Sequence, residues 1–288
     1  MAIVIATCNI SAAANGGPHY SATVAPEVPR EMTFCGEKIN FERVDMYERL
    51  DRELTSVIYG QTTTSLIIKR ARRYFPVLEK ILHEQGVPRD FIYLAATESA
   101  LEYDAYSSAK AAGMWQLLAA TGQQYGLEVS DEVDERYDPE KSAVAACKYL
   151  KAAYAKYGNW ATVAASYNAG MSRITGELSK QYATTSFDLF LNKETSRYVF
   201  RILAYKLVLE SPARYGYHVG KDQLYRPMEY TEEVVSTSVP DWPAWAKQRG
   251  LTYAQLRAAN PWIRSTKLTN SRGRYYTVRI PKPESLKH

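Results

Sequence analysis

Between Ser65 and Gly86 the apolar residues recur at helical spacing, with Leu66, Ile67, Tyr74, Val77, Leu78, Ile81 and Leu82 near one face. Pro76 falls inside this run and predicts a break or kink, because proline has no N–H for the helical ladder. Gly86 ends the segment, and Val87-Pro88-Arg89-Asp90 leads into a second helix, FIYLAATESALE. On it Ile92, Ala95, Ala96 and Ser99 can face a core, and Glu98 lies beside that stripe, where its carboxyl loses part of its water. A loop of small residues follows, then a helix predicted over MWQLLAATGQQYG and closed by Gly126. Asp138-Pro139 opens EKSAVAACKYLKAAYAKYG, with proline in the first turn and Gly158 as the stop. NWATVAASYNAG is one more short helix, an exposed segment comes next, and ETSRYVFRILAYKLVLE is the last long helix. Almost nothing up to residue 211 reads as strand, so this part is expected to be all-helical.

After Pro212 the pattern changes. YTEEVVSTS and RYYTVRIPKP are β-branched and aromatic runs that flank two short helical patterns, DWPAWAKQRG and TYAQLRAANPW. Strand, helix, helix, strand makes a small α+β module. The divisions expected are an export segment and linker over 1–30, a helical domain over 31–225 and the small module over 229–283, with the boundary in KDQLYRPME.

Composition narrows the function. Tyrosine is abundant, 23 residues against 7 phenylalanines, and its flat face with a hydroxyl suits sugars as well as half-buried helix surfaces. The net charge of +5 fits an anionic partner but is too small and dispersed to point to nucleic acid. Cys8, Cys35, Cys147 and the four histidines lack ligand spacing, so no metal site is expected and no cofactor is implied. Cys35 and Cys147 would be available to pair in an oxidising compartment, although Cys147 also reads as a small buried hydrophobe. The start, MAIVIATCNISAAAN, has a short apolar stretch and small residues at Ala12-Ala13-Ala14, but not the basic start of a secretory signal. It suggests export to the periplasm or envelope, and Cys8 stands in a poor lipoprotein box. No phosphate loop and no Ser-His-Asp order is present.

Four short pieces carry chemistry: Glu98-Ser99, Gly113-Met114-Trp115-Gln116, Ser166-Tyr167-Asn168-Ala169-Gly170, and Glu194 with Tyr198. Together, in this order and spacing, the helical part resembles the family 1 lytic transglycosylases, a lysozyme-like helical fold related to goose-type lysozyme. The resemblance runs from about Ser65 to Tyr217. It implies Glu98 as the catalytic acid followed by Ser99, Gly113 and Gln116 as the Gly-x-x-Gln segment lining a cleft, and Tyr167 and Asn168 as an Ala-Tyr-Asn motif. Glu194 and Tyr198 then match a Glu-Thr-x-x-Tyr motif closing the site. The resemblance implies substrate binding by Ser99, Gly113, Met114, Gln116, Tyr167, Asn168, Glu194 and Tyr198; Met114 and Tyr167 are also expected to desolvate Glu98, and Gln116 and Asn168 to hold acetamido groups. Ser166 replaces the family's usual alanine, and Trp115 stands where Met or Ile is common.

The reaction so implied cuts the β-1,4 bond between N-acetylmuramic acid and N-acetylglucosamine in peptidoglycan strands and leaves 1,6-anhydromuramoyl ends. Most glycosidases need two carboxyls; here one serves as acid and then base. Two alternatives stand: a muramidase using water, with Glu102 or Asp104 as base, and a catalytically silent glycan-binding protein of the envelope. Residues 229–281 resemble a degenerate LysM domain, which implies glycan binding; Val239-Pro240-Asp241-Trp242 replaces that family's Gly-Asp-Thr-Leu turn. Peripheral or lipid-anchored attachment to the envelope is the association expected.

Overall fold

A computed structural model of the protein describes residues 25–287. Of the expected export segment and linker over 1–30, residues 1–24, with Cys8 and Ala12-Ala13-Ala14, lie outside the described residues. The chain opens on a hairpin, β1 (Glu31–Phe34) and β2 (Glu37–Asn40), antiparallel with Phe34 opposite Glu37. These short strands correct the expectation that the first part is purely helical. Their turn places Cys35 and Gly36 at φ 54° and 81°, the left-handed pair that suits the twist of a tight hairpin. Phe34 and Ile39 are buried.

Eight helices follow: α1 (Val44–Tyr59), α2 (Gln61–Glu84), α3 (Ile92–Ser99), α4 (Ala119–Gln124), α5 (Pro139–Tyr157), α6 (Trp160–Ala169), α7 (Met171–Lys180) and α8 (Lys193–Glu210). α2 runs unbroken through Pro76, contrary to the predicted break. Pro76 is on the solvent side, so the Arg72 carbonyl it leaves unpaired faces water rather than the core. α4 begins five residues later than the helix predicted from Met114, because Gly113 and Gln116 have φ of 77° and 46° and cannot continue a right-handed helix. α7 occupies the stretch read as an exposed segment; it buries only Ile174, so no apolar stripe announced it. α5 agrees with its sequence signals at both ends. Asp138 accepts from the Glu140 and Lys141 N–H groups, and Gly158 closes the helix in the left-handed region.

α8 packs against α1, α3 and α6, and α5 against α2 and α6. Ala143, Ala145, Ala146 and Ala153 give α5 a face of small residues, which lets its neighbours approach closely. Cys35 and Cys147 are both free thiols; burial pushes the Cys147 thiol up to about 12.

The last part contains β3 (Tyr230–Val235), α9 (Trp242–Gln248), α10 (Tyr253–Ala259) and β4 (Tyr276–Pro281), with β3 and β4 antiparallel and Val235 opposite Tyr276. It has its own buried cluster around Trp242, Leu256, Trp262 and Val278, and Val133 from the helical part belongs to the same cluster. Val133 bridges Ile263, the Asp134 N–H donates to the Trp262 carbonyl at 2.9 Å, and the Arg264 N–H donates to the Glu132 carbonyl at 2.9 Å. Ion pairs at the rim, such as Arg279 with Glu140 at 2.8 Å, add little beside these backbone bonds. In the turn that replaces the LysM signature, Asp241 caps α9 at the Ala244 N–H and Trp242 is fully buried. No helix among the described residues is long and apolar enough to cross a membrane.

Candidate active site

Glu98 sits in the last turn of α3, and the chain reverses immediately behind it: Ala100 and Leu101 both lie in the left-handed region, at φ 53° and 59°. The side chain is half-buried, and the Tyr198 hydroxyl of α8 donates to its Oε1. Desolvation raises the Glu98 pKa to about 7, and the Glu194 carboxylate adds to that rise; the Tyr198 hydrogen bond and the Arg201 guanidinium oppose it. The carboxyl is thus poised to exchange a proton near neutral pH. Burial also pushes the Tyr167 and Tyr198 phenols far up, so both remain neutral donors.

The loop that faces α3 is fixed from several directions. Ser99 Oγ donates to the Met114 carbonyl at 2.8 Å, and the Tyr167 hydroxyl of α6 donates to the Trp115 carbonyl at 2.7 Å. Gln116 Nε2 donates to the Gly113 carbonyl at 2.8 Å and the Ala105 carbonyl at 3.2 Å. Gly113 is required by space as well as by its positive φ, since a Cβ there would lie 1.8 Å from the Arg136 carbonyl oxygen. Arg136 is buried, paired with Asp134, and gives Nη1 to the carbonyls of Lys110 at 3.0 Å and Leu117 at 3.1 Å. It plugs the loop from beneath.

At the mouth, Asn168 Nδ2 meets Glu194 Oε1 at 3.3 Å, and Thr195 Oγ1 donates to Asn168 Oδ1 at 2.9 Å. Glu194 is exposed in the first turn of α8, which Asn192 caps. The structure therefore joins Glu98 to Tyr198, and Asn168 to Glu194, while Gly113, Gln116 and Tyr167 shape the loop between them. Ser99 and Met114 hold positions different from those expected of substrate contacts. Met114 is completely buried, and the Ser99 hydroxyl is spent on a backbone carbonyl, so both act on the loop from inside. Trp115 is fully buried too, and the Ser166 hydroxyl, equally buried, donates to the Val163 carbonyl at 2.8 Å. Neither sequence departure presents a side chain to the cleft. Glu102, placed beyond the end of α3, pairs with Arg70 at 2.7 Å. It is not on a continued face of the Glu98 helix, because that helix has already ended.

Sequence reasoning missed Glu53, Arg136 and Glu37. Glu53 is fully buried on α1 and receives Arg52, Arg197 and Arg201, two of them flanking Tyr198 on α8. A signal existed: Met46, Leu50, Leu54 and Val57 form the apolar stripe of α1, and Glu53 lies on it. Glu37 accepts the Trp160 N–H at the start of α6, a link between distant segments that no local pattern carries. No group of three or more metal-ligating side chains occurs among the described residues.

Residues 76–190 match the family described as Transglycosylase SLT domain, and residues 231–284 match the Soluble lytic transglycosylase C-terminal LysM-like domain. The chain carries a transglycosylase SLT domain. It is homologous to the membrane-bound lytic murein transglycosylase D of Escherichia coli (strain K12), at 28% identity over 254 residues. That match takes in 86% of this chain and 55% of the relative, so the SLT chain spans about half the length of the curated relative. Among solved structures it is similar to the 70 kDa soluble lytic transglycosylase of Escherichia coli, with a TM-score of 0.45 and 17% identity over 65% of this chain and 34% of that one. The lytic transglycosylase Slt of Pseudomonas aeruginosa gives a TM-score of 0.40 and 23% identity over 53% of this chain and 26% of that one.

Proposed function

We propose that this protein is a lytic transglycosylase of the bacterial envelope, cutting peptidoglycan strands between N-acetylmuramic acid and N-acetylglucosamine with Glu98 as its acid and base. The observation that carries the reading is a carboxyl raised to about 7 by burial, hydrogen-bonded by Tyr198, in a chain with an SLT domain. Neutral Glu98 gives its proton to the bridging oxygen, and the C1–O bond to N-acetylglucosamine breaks. The 2-acetamido oxygen of the muramoyl sugar shields the cation that develops at C1. The carboxylate formed then takes the proton of the C6 hydroxyl as O6 bonds to C1, which closes the 1,6-anhydro ring and returns Glu98 to its neutral form. The nucleophile is part of the same sugar, and such proximity is worth up to roughly 7–11 kcal/mol in well-oriented cases.

Tyr198 keeps the carboxyl turned toward the bond and steadies it when charged. The side-chain amides of Asn168 and Gln116 suit the acetamido arms. The Arg70 pairing of Glu102 favours this reaction over a water-using muramidase that relies on that carboxylate as base. Digestion of purified peptidoglycan with the protein, read by mass spectrometry, tests the reading. Fragments ending in 1,6-anhydromuramic acid, lighter by one water than hydrolysis products, are expected; hydrated reducing ends would make it a hydrolase, and no release from the folded protein would leave only glycan binding.

A further inference from the structure

The connection between α7 and α8, residues 181–192, exposes Tyr182 at 96% and Phe190 at 90%, the two highest values among the large apolar side chains described. Their backbone is fixed. α7 closes with the Ala183 N–H on the Leu178 carbonyl at 3.0 Å and the Tyr182 N–H on the Ser179 carbonyl at 3.4 Å. That pairing puts Tyr182 at φ 53°, a position glycine fills by default. Gln181 then grips Phe190 on both sides: Nε2 donates to its carbonyl at 3.0 Å and Oε1 accepts its N–H at 2.7 Å. One side-chain amide thereby ties the backbone of Phe190 to the residue before Tyr182.

The pair is also tied to the cleft. Asn192 caps α8, whose Thr195 holds Asn168, and Phe190 is four residues from Glu194, no more than about 14 Å along the chain. Beside Phe190 is a cavity of about 370 Å³ lined in part by Arg49 and by Arg43, which is paired with Asp45 and Asp188. The Arg49 guanidinium donates there to carbonyl oxygens, those of Phe187 at 3.2 Å and Ser196 at 2.9 Å. Rings this exposed contribute nothing to the core, and clustered exposed apolar surface marks a binding face. A ligand that fits has flat apolar faces and polar edges, which describes amino-sugar rings.

We propose that Tyr182 and Phe190 form a sugar-binding platform outside the catalytic cleft, which takes the glycan strand beyond the bond that is cut. The proposal rests on the reading of this chain as a glycan-cleaving enzyme. The test is sedimentation with insoluble peptidoglycan in a Glu98→Gln background, so that binding is measured without turnover. Tyr182→Ser with Phe190→Ser should weaken binding about tenfold, the loss expected for two stacking contacts. His83→Ser, an exposed change in the last turn of α2, should leave binding as it was. Because both rings are exposed, the double variant should melt with the parent, and circular dichroism checks this. Equal binding by the double variant and its parent overturns the proposal. So does a parent that dimerises in solution and becomes monomeric in the double variant, which would give this face to a second copy of the chain. If the native protein releases no fragments from peptidoglycan yet the double variant loses binding, the catalytic reading fails and the platform stands.

Discussion

Burial works against the charge of Glu98, and this ties stability and chemistry together at one residue. Its folded pKa of about 7 lies above the unfolded value, so between pH 4.5 and 7 the folded state holds more proton than the unfolded state. Stability from this group is full below the unfolded pKa and falls as pH rises through about 7. Glu98→Gln should therefore raise the melting temperature at pH 8, by a gain on the order of 1–3 kcal/mol, and leave it unchanged at pH 4. The same variant should lose cleavage almost completely; near-native activity would remove Glu98 from the mechanism. If the proposed reaction holds, kcat/KM of the wild-type protein should fall above pH 7, as the neutral Glu98 disappears. Tyr198→Phe removes a donor that favours the carboxylate, so that limb should move to higher pH while the rate drops. A pH–rate profile of both proteins decides it, and an unmoved limb would mean that Tyr198 does not govern the proton. Glu98 stands out in the sequence because its neighbours are unusual in combination. The roles of Ser99 and Met114 were not, since a motif names residues but does not say which way a side chain turns.

Helices with explicit caps were readable, and α5 is the clearest, framed by Asp138 and Gly158. Elements decided by distant contacts were not. The loop 113–117 has helical composition, yet Gly113 pressed on Arg136 and a left-handed Gln116 exclude a helix there. Gly113→Ala should therefore force the loop off its seat, at about 2 kcal/mol or more in stability, with activity lost at temperatures where the fold survives. Denaturant unfolding and cleavage assays read the two effects separately; a fully active, equally stable variant would show that the loop tolerates the shift. Glu53 offers a second case at this level. Removing it by Glu53→Ala leaves Arg197 and Arg201 without their buried partner beneath the α8 turn that holds Tyr198. A loss of about 3–5 kcal/mol is expected, larger than any exposed ion pair here would give. α7 shows the opposite limit: one buried side chain, Ile174, is too little periodicity to read.

At the scale of the whole molecule, the small C-terminal module and the helical part share a core residue and a strand-like seam. Val133 is buried among the module's side chains, a contribution of about 1.5–3 kcal/mol for a side chain of that size. Calorimetry should show one unfolding transition, and Val133→Asp, by placing a charge in that cluster, should split it in two. Two transitions in the parent would mean that the parts fold independently. Composition suggests a break near 220–228, whereas the seam leaves no sequence signal, because residues 132–134 and 262–264 are far apart in the chain.

That seam has a consequence for inheritance. Residues 128–136 face two ways: Arg136 supports the loop beside Glu98, and Glu132 to Asp134 receive the module. A gene fusion that exchanged everything after residue 228 would look complete on paper and still set a foreign edge against this segment. The natural unit of exchange is therefore discontinuous. A transplanted module would have to bring its own version of 128–136, and any change made there to welcome it would be felt in the loop beside Glu98.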